Sequence, residues 1–204
     1  MGRAILLELA SSGYAVVVNY ARDPAAAEST VETVLAGKGE AVAIRADVTD
    51  ELDVERLFTE TTAAFGGVDA VVHAAESEVA VARLADVELE VVDTLCRMNT
   101  RATLLVNREA ARHVRDGGTI VNLATSSVSS AQPGYGIYAA TRTAASVLTR
   151  VLAIELRQRD ITVNAVSLEA DAPCQPDKVA EVVAYLLNAN GRITGQLVSL
   201  DITG

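Results

Sequence analysis

The sequence predicts an α/β protein built on a doubly wound parallel sheet, on three observations. Helical and strand periodicities alternate along the chain. The strand segments are short, continuous β-branched runs rather than alternating ones, as expected of strands buried on both faces. No linker, low-complexity stretch or repeat of solenoid length breaks the alternation, so residues 1–204 read as a single domain.

The elements follow in order. Gly2 to Ser11 is a helix with Ile5, Leu6 and Leu9 on one face, stopped by Gly13. Ala15-Val16-Val17-Val18-Asn19-Tyr20 is a buried strand. Pro24 opens a helix ending near Gly37, and Glu40 to Arg45 is a second strand. Asp47 to Asp50 lead into a helix that reaches Phe65 and stops at Gly66-Gly67. Asp69 to Ala74 is a third strand, followed by an irregular stretch to about Asp86 and one long helix from Glu88 to Val114. Gly117-Gly118 break the pattern before a fourth strand, Thr119 to Leu123. A Ser-rich loop then precedes a helix from Tyr138 to Gln158. Ile161 to Val166 is a fifth strand, Asp177 to Asn188 a helix and Gln196 to Leu200 a sixth strand. Such βαβ units take right-handed crossovers, and their ligand crevice lies beyond the carboxyl ends of the strands.

Charge narrows the partners. Seventeen Lys and Arg against 27 Asp and Glu give a formal charge of -10 with no basic cluster, so neither nucleic acid nor a membrane surface is an expected partner. No segment approaches 18 consecutive apolar residues, and Cys96 and Cys174 lie far apart without metal spacing; the expectation is a cytoplasmic protein with two free thiols and no metal.

Three segments could carry chemistry, each at the carboxyl end of an expected strand or on the helix after it. The strongest runs from Gly118-Thr119-Ile120-Val121-Asn122-Leu123-Ala124-Thr125-Ser126 to Tyr138-Ala139-Ala140-Thr141-Arg142, with Asn99 upstream. Together with Asn19-Tyr20-Ala21-Arg22, Asp47-Val48-Thr49, Ile161-Thr162-Val163-Asn164-Ala165-Val166 and Ile193-Thr194-Gly195-Gln196, this ordered set resembles the short-chain dehydrogenase/reductases, in texture the 3-oxoacyl-(acyl carrier protein) reductases. A lone Tyr with a cation four residues on is a common helix surface pair; the ordered set is the specific signal.

The resemblance implies a Rossmann-like fold and the following roles. Tyr138 is the proton donor to a substrate carbonyl. Arg142 stands where the family has lysine; it keeps the cation that stabilises a phenolate but, never deprotonated, cannot relay a proton. Thr125 and Ser126 are the carbonyl-binding hydroxyls, and Asn99 is the residue whose backbone kink holds a relay water. On the cofactor side the implied residues are Gly2, Arg22, Asp47, Val48, Ala74 and Ala75. Arg22 suits the 2′-phosphate of NADP, where an acid would suit NAD.

The chain also departs from the pattern. The family's first strand and two of the three glycines of its phosphate loop are missing before Met1-Gly2-Arg3, which fits either an internal methionine of a longer protein or a real truncation, and Glu76 stands where the family has a glycine near the cofactor. The substrate lid after the fifth strand is shortened to Ser167-Leu168-Glu169-Ala170-Asp171-Ala172-Pro173. Because the missing strand is central to the family's sheet, the gap is expected to close or to borrow a strand. His73 reads as a strand-end histidine, and His113 as a compensator of the helix dipole.

The expected function is ketoreductase-type, NADP(H)-linked reduction of a carbonyl in a small-molecule or carrier-bound acyl or polyketide-like substrate. The alternative is a cofactor-free chain: a structural subunit of a reductase assembly, or an enzyme using Tyr138 for non-redox acid/base chemistry. Under either reading the Glu88–Val114 and Tyr138–Gln158 helices, with Val147, Leu148, Val151 and Leu152, suit a homo-oligomer or a hetero-oligomer with a paralogue.

Overall fold

A computed structural model describes residues 1–75, 82–125, 132–168, 175–189 and 193–200. The elements run α1 (Gly2–Ser11), β1 (Val16–Tyr20), α2 (Pro24–Ala36), β2 (Ala41–Arg45), α3 (Glu51–Phe65), β3 (Val68–His73), α4 (Leu89–Leu95), α5 (Ala102–His113), β4 (Val114–Thr125), α6 (Gly136–Glu155), β5 (Thr162–Leu168), α7 (Pro176–Leu187) and β6 (Leu197–Ser199). Local chemistry sets several boundaries. Asp23 caps α2, accepting from the Ala26 N–H with Pro24 at the first helical position, and Asp50 caps α3, accepting from the Asp53 N–H. Gly66 ends α3 in the left-handed region at φ 77°.

Pairing is parallel throughout, in the order β3-β4-β5-β6 for one sheet and β1-β2 for another. Side chains alternate across the four-stranded sheet. Ile120 and Val163 face a core built with Val54 and Phe58 of α3 and Leu105 and Val106 of α5, whereas Val121, Leu123 and Val166 face Ile5 and Leu9 of α1 and Val179, Val183 and Leu186 of α7. Helices on both faces explain why β4 and β5 are continuous apolar runs.

Four expectations need correction. The sheet does not close its gap: β1 bonds β2 and β3 bonds β4, but no strand pairing joins β1 to β3. The chain tolerates this because α1 packs against both α7 and α2, bridging the two sheets from one face. The long helix expected over Glu88–Val114 is three pieces, since a π-helical turn, Cys96–Arg101, separates α4 from α5. The fourth strand begins not at Thr119 but at Val114, which pairs with Val68. The register then shifts so that Ala70 opposes Thr119, with Gly117 at φ 80° and Gly118 so close to the Asp69 carbonyl that a Cβ would not fit. The helix expected to reach Gln158 stops at Glu155 and gives way to a 3₁₀ turn, Arg157–Arg159.

Buried polar residues tie the layers together. Asn122 on β4 and Asn107 on α5 exchange two side-chain hydrogen bonds of 2.9 and 3.0 Å, and Asn122 Nδ2 also donates to Thr149 Oγ1 on α6 at 3.0 Å. Asn164 on β5 donates to the Ile193 carbonyl and accepts from the Gln196 N–H, which guides the chain into β6. Each group is buried and satisfied, so the network specifies packing rather than costing stability.

Candidate functional site

The π-turn positions Asn99. A π-helical turn adds a residue to the helical ladder and re-aims the groups beside it. Asn99 is fully buried there: its Nδ2 donates to Thr141 Oγ1 at 3.1 Å, and its carbonyl accepts from Thr103 Oγ1 at 2.6 Å. Thr100 Oγ1 adds a 3.2 Å bond to the Thr141 carbonyl. Thr141 lies on α6 between Tyr138 and Arg142, and its hydroxyl reaches back to the carbonyls of Ile137 and Tyr138. The π-turn is thus fastened to the first turns of α6 at the residue flanked by the two expected catalytic groups.

Tyr138 and Arg142 stand one helical turn apart on α6. Tyr138 is half-buried, its ring edge-on to Tyr135 with centroids 6.3 Å apart, while Arg142 is buried. Arg142 is thus the more deeply placed of the two side chains.

His73, at the end of β3, completes the cluster. Burial first, and the nearby Arg142 charge second, push its pKa down to about 4, so the ring is neutral at pH 7. Its Nε2 lies 3.2 Å from Thr103 Oγ1, and that hydroxyl spends its hydrogen on the Asn99 carbonyl, so Nε2 is the protonated nitrogen. The sequence reading of His73 as a strand-end residue missed this link to Asn99 and to Arg142. No sequence signal marks it, since His73 meets these residues only through the packing of β3 against α5. His113 donates from Nδ1 to the Glu109 carbonyl at 3.0 Å, stacks on Phe58 at 5.4 Å, and sits 3.6 Å from the Glu109 carboxylate.

The expected cofactor residues lie at the carboxyl ends of β1, β2 and β3. Arg22 lines a cavity of about 450 Å³ together with Tyr20, Ala21, Pro24 and Arg45. Arg45 was missed from sequence; it ends β2 directly beside Tyr20 in the parallel register, which brings a second guanidinium to the same place. Arg56 holds the Arg45 carbonyl at 2.8 Å and Arg45 Nε reaches the Ala21 carbonyl at 3.4 Å, so the cavity wall is tied to α3. Two guanidiniums fit a phosphate dianion, the group that distinguishes NADP from NAD.

Asp47 Oδ1 accepts from both the N–H and hydroxyl of Thr49, at 2.9 and 2.8 Å, forming an Asx turn that sets Val48 inward, where it is buried. Ala74 and Ala75 follow β3 and face the space between the two sheets, as does Gly2 at the start of α1. Arg3, next to Gly2, is occupied with Ser29, Thr30 and Thr33 of α2. Thr125 closes β4, opposite Leu168 of β5. Ser126, Glu76, Cys174 and the Glu169–Pro173 part of the expected lid lie outside the described residues.

Among the described residues no cluster of three His, Cys, Asp or Glu could hold a metal, and no helix is long and apolar enough to cross a membrane. Cys96 is a free, exposed thiol.

Comparison with known proteins places these features in context. Residues 1–171 match the family model described as enoyl-(acyl carrier protein) reductase. Versicolorin reductase 1 of Aspergillus parasiticus is 38% identical over 169 residues, 82% of this chain and 64% of that protein, so the chain covers just under two thirds of that relative. An uncharacterized oxidoreductase of Methylorubrum extorquens is 31% identical over 98% of this chain and 91% of its own length. Among solved structures, a short-chain dehydrogenase from Burkholderia cenocepacia in complex with NADP superposes with a TM-score of 0.88 at 28% identity, covering 98% of this chain and 91% of that one.

Proposed function

The chain belongs to the short-chain dehydrogenase/reductase superfamily, and from that premise we propose that it is an NADP(H)-linked reductase of a carbonyl in an acyl or polyketide-like substrate. The observation that carries the reading is the fastening of buried Asn99 to Thr141, between Tyr138 and Arg142. A surface tyrosine and arginine would need no such anchoring. When bound, the cofactor supplies the hydride, with Arg22 and Arg45 at its 2′-phosphate and Asp47, Val48, Ala74 and Ala75 along its adenosine side.

The protein's own part is proton delivery. Tyr138 donates its phenolic hydrogen to the carbonyl oxygen as charge develops there, and the buried Arg142 stabilises the phenolate that remains. Arginine holds its proton throughout, so the phenol is reprotonated from solvent or through water near the π-turn. His73, neutral and bonded to Thr103, fixes the Asn99 carbonyl from behind without adding a second positive charge beside Arg142.

The test is NADPH oxidation with a small β-ketoacyl thioester. Tyr138→Phe is expected to slow turnover by roughly 10²- to 10⁴-fold, the usual worth of a positioned acid, with NADPH affinity unchanged. Full turnover in that variant removes the proposed acid.

A second reading, a cofactor-free partner subunit, rests on one observation, an exposed apolar face on α5 and α6. Val147, Val151 and Ile154 on α6 and Leu104 on α5 are exposed and offer the apolar face for assembly with a like chain. Absence of NADPH binding together with stable assembly with a paralogue favours this reading over the first.

A further inference from the structure

β2 pairs with β1 along one edge, and its other edge has no partner among the described strands. The backbone from the Arg45 carbonyl to the Asp47 N–H is nonetheless fully engaged. Ala46 is held from β1: its N–H donates to the Tyr20 carbonyl at 2.9 Å, and its carbonyl accepts from Asn19 Nδ2 at 3.0 Å. The groups on either side of it are held by side chains of α3. Arg56 Nη2 donates to the Arg45 carbonyl at 2.8 Å, and Asp53 Oδ2 accepts from the Asp47 N–H at 2.8 Å. Arg56 Nη2 also donates to Asp53 Oδ1 at 2.6 Å, so Arg45, Asp47, Asp53 and Arg56 form a closed ring.

An (i, i+3) ion pair on a helix surface ordinarily faces water and contributes little. The Asp53 and Arg56 side chains are 35% and 44% exposed, and α3 is already capped by Asp50 and anchored in the core by Val54 and Phe58. Folding of the helix does not depend on the pair. What the pair holds is the turn out of β2, with Arg45 on one side of Ala46 and, on the other, Asp47, whose Asx turn sets Val48 inward. The Asp47 N–H first, and the Arg56 guanidinium second, hold the Asp53 carboxyl below the usual carboxylate range, so the ring is charge-assisted at pH 7. Glu60, one turn further along α3, takes the other terminal nitrogen of Arg56 at 3.1 Å.

We propose that Asp53 and Arg56 are positioning residues of the nucleotide site, which together set the spacing between the Arg45 guanidinium and the Asp47–Val48 turn and so the fit to an adenosine carrying a 2′-phosphate. The inference rests on the NADP(H) reading above, in which Arg45 meets that phosphate and Asp47 and Val48 meet the adenosine. Asp53 and Arg56 act through the backbone they hold. Both are needed because the turn presents a carbonyl and an N–H two residues apart; a donor or an acceptor alone fixes one end and leaves the other to water.

The test titrates the full chain with adenosine 2′,5′-bisphosphate by calorimetry and follows NADPH turnover alongside. Arg56→Ala and Asp53→Ala are each expected to weaken bisphosphate binding about three- to tenfold, and to raise KM for NADPH by the same factor at unchanged kcat. The double variant should lose little more than either single one, since removing one side already opens the ring. Asp53→Asn, which keeps an oxygen for the Asp47 N–H, should recover part of the loss, and Glu60→Ala should bind as the unaltered chain does. Amide exchange at Ala46 and Asp47 should quicken in the alanine variants while Ile120–Leu123 stay unchanged. Unchanged binding in both alanine variants, an equal loss in Glu60→Ala, or a loss that follows a general fall in Tm overturns the proposal alone. Absence of bisphosphate binding to the unaltered chain at millimolar concentration overturns the NADP(H) reading and the proposal with it.

Discussion

The β3–β6 sheet and the β1–β2 sheet differ in how completely they are supported. Strands β4 and β5 have neighbours on both edges and helices on both faces, and their central side chains are sealed from solvent. β1 and β2 have one another and the helices α1, α2 and α3, with β1 open on its inner edge. The groups proposed for proton delivery and its support, His73, Asn99, Tyr138 and Arg142, belong to the well-supported half, whereas the two guanidiniums proposed for a cofactor phosphate belong to the other. Substrate chemistry needs positions held tightly, which only a closed core supplies. Phosphate recognition by arginines rests on charge and a fork of donors, and tolerates a less rigid base.

That contrast can be broken most forcefully in the core. Ile120→Ala is expected to cost roughly 2–5 kcal/mol in urea unfolding, because the sealed site cannot collapse around the lost atoms, whereas Val71→Ala, at the open edge, should cost about 1 kcal/mol or less. Equal losses would mean that the edge is as well packed as the centre.

A change of pH probes the junction between the halves. His73 has a folded-state pKa of about 4 against 6.5 for the free side chain, so between those values the unfolded chain binds the extra proton and stability falls as pH falls. From pH 7.5 to 5 the loss from this group is about 2 kcal/mol, recovered on returning to neutrality. His73→Gln should flatten that part of the stability profile, and an unchanged profile would remove His73 as its source.

The smallest effect is expected at the cofactor end. Arg45→Ala should weaken NADPH binding about tenfold and leave NADH binding unaltered, in line with the loss of one charge-assisted hydrogen bond. A parallel loss for both cofactors would place Arg45 elsewhere than at the 2′-phosphate.

Much of this was legible in the sequence. The alternation of continuous β-branched runs with amphipathic segments marks six strands, and Pro24, Gly13 and Gly66 punctuate them through simple backbone rules. Three features were hidden for physical reasons. The π-turn at Asn99 inserts a single residue into an otherwise unbroken helical pattern, and periodicity over a window cannot register one residue. Arg45 joins Arg22 only through the parallel register of two strands 25 residues apart, which no local pattern encodes. The gap between β1 and β3 was expected to close or to borrow a strand because unpaired edges are costly. It stays open because α1 carries the load across one face, with Ile5 and Leu9 packed beside Val121 and Val183.

Under the proposed function, the Arg22–Arg45 end of the molecule takes the 2′-phosphate of NADP(H). Titration of the purified chain with NADPH and with NADH, followed by nicotinamide fluorescence, tests it most directly. Saturable NADPH binding at least about tenfold tighter than NADH binding is expected; equal affinities, or no binding of NADPH at hundreds of micromolar, would rule that role out.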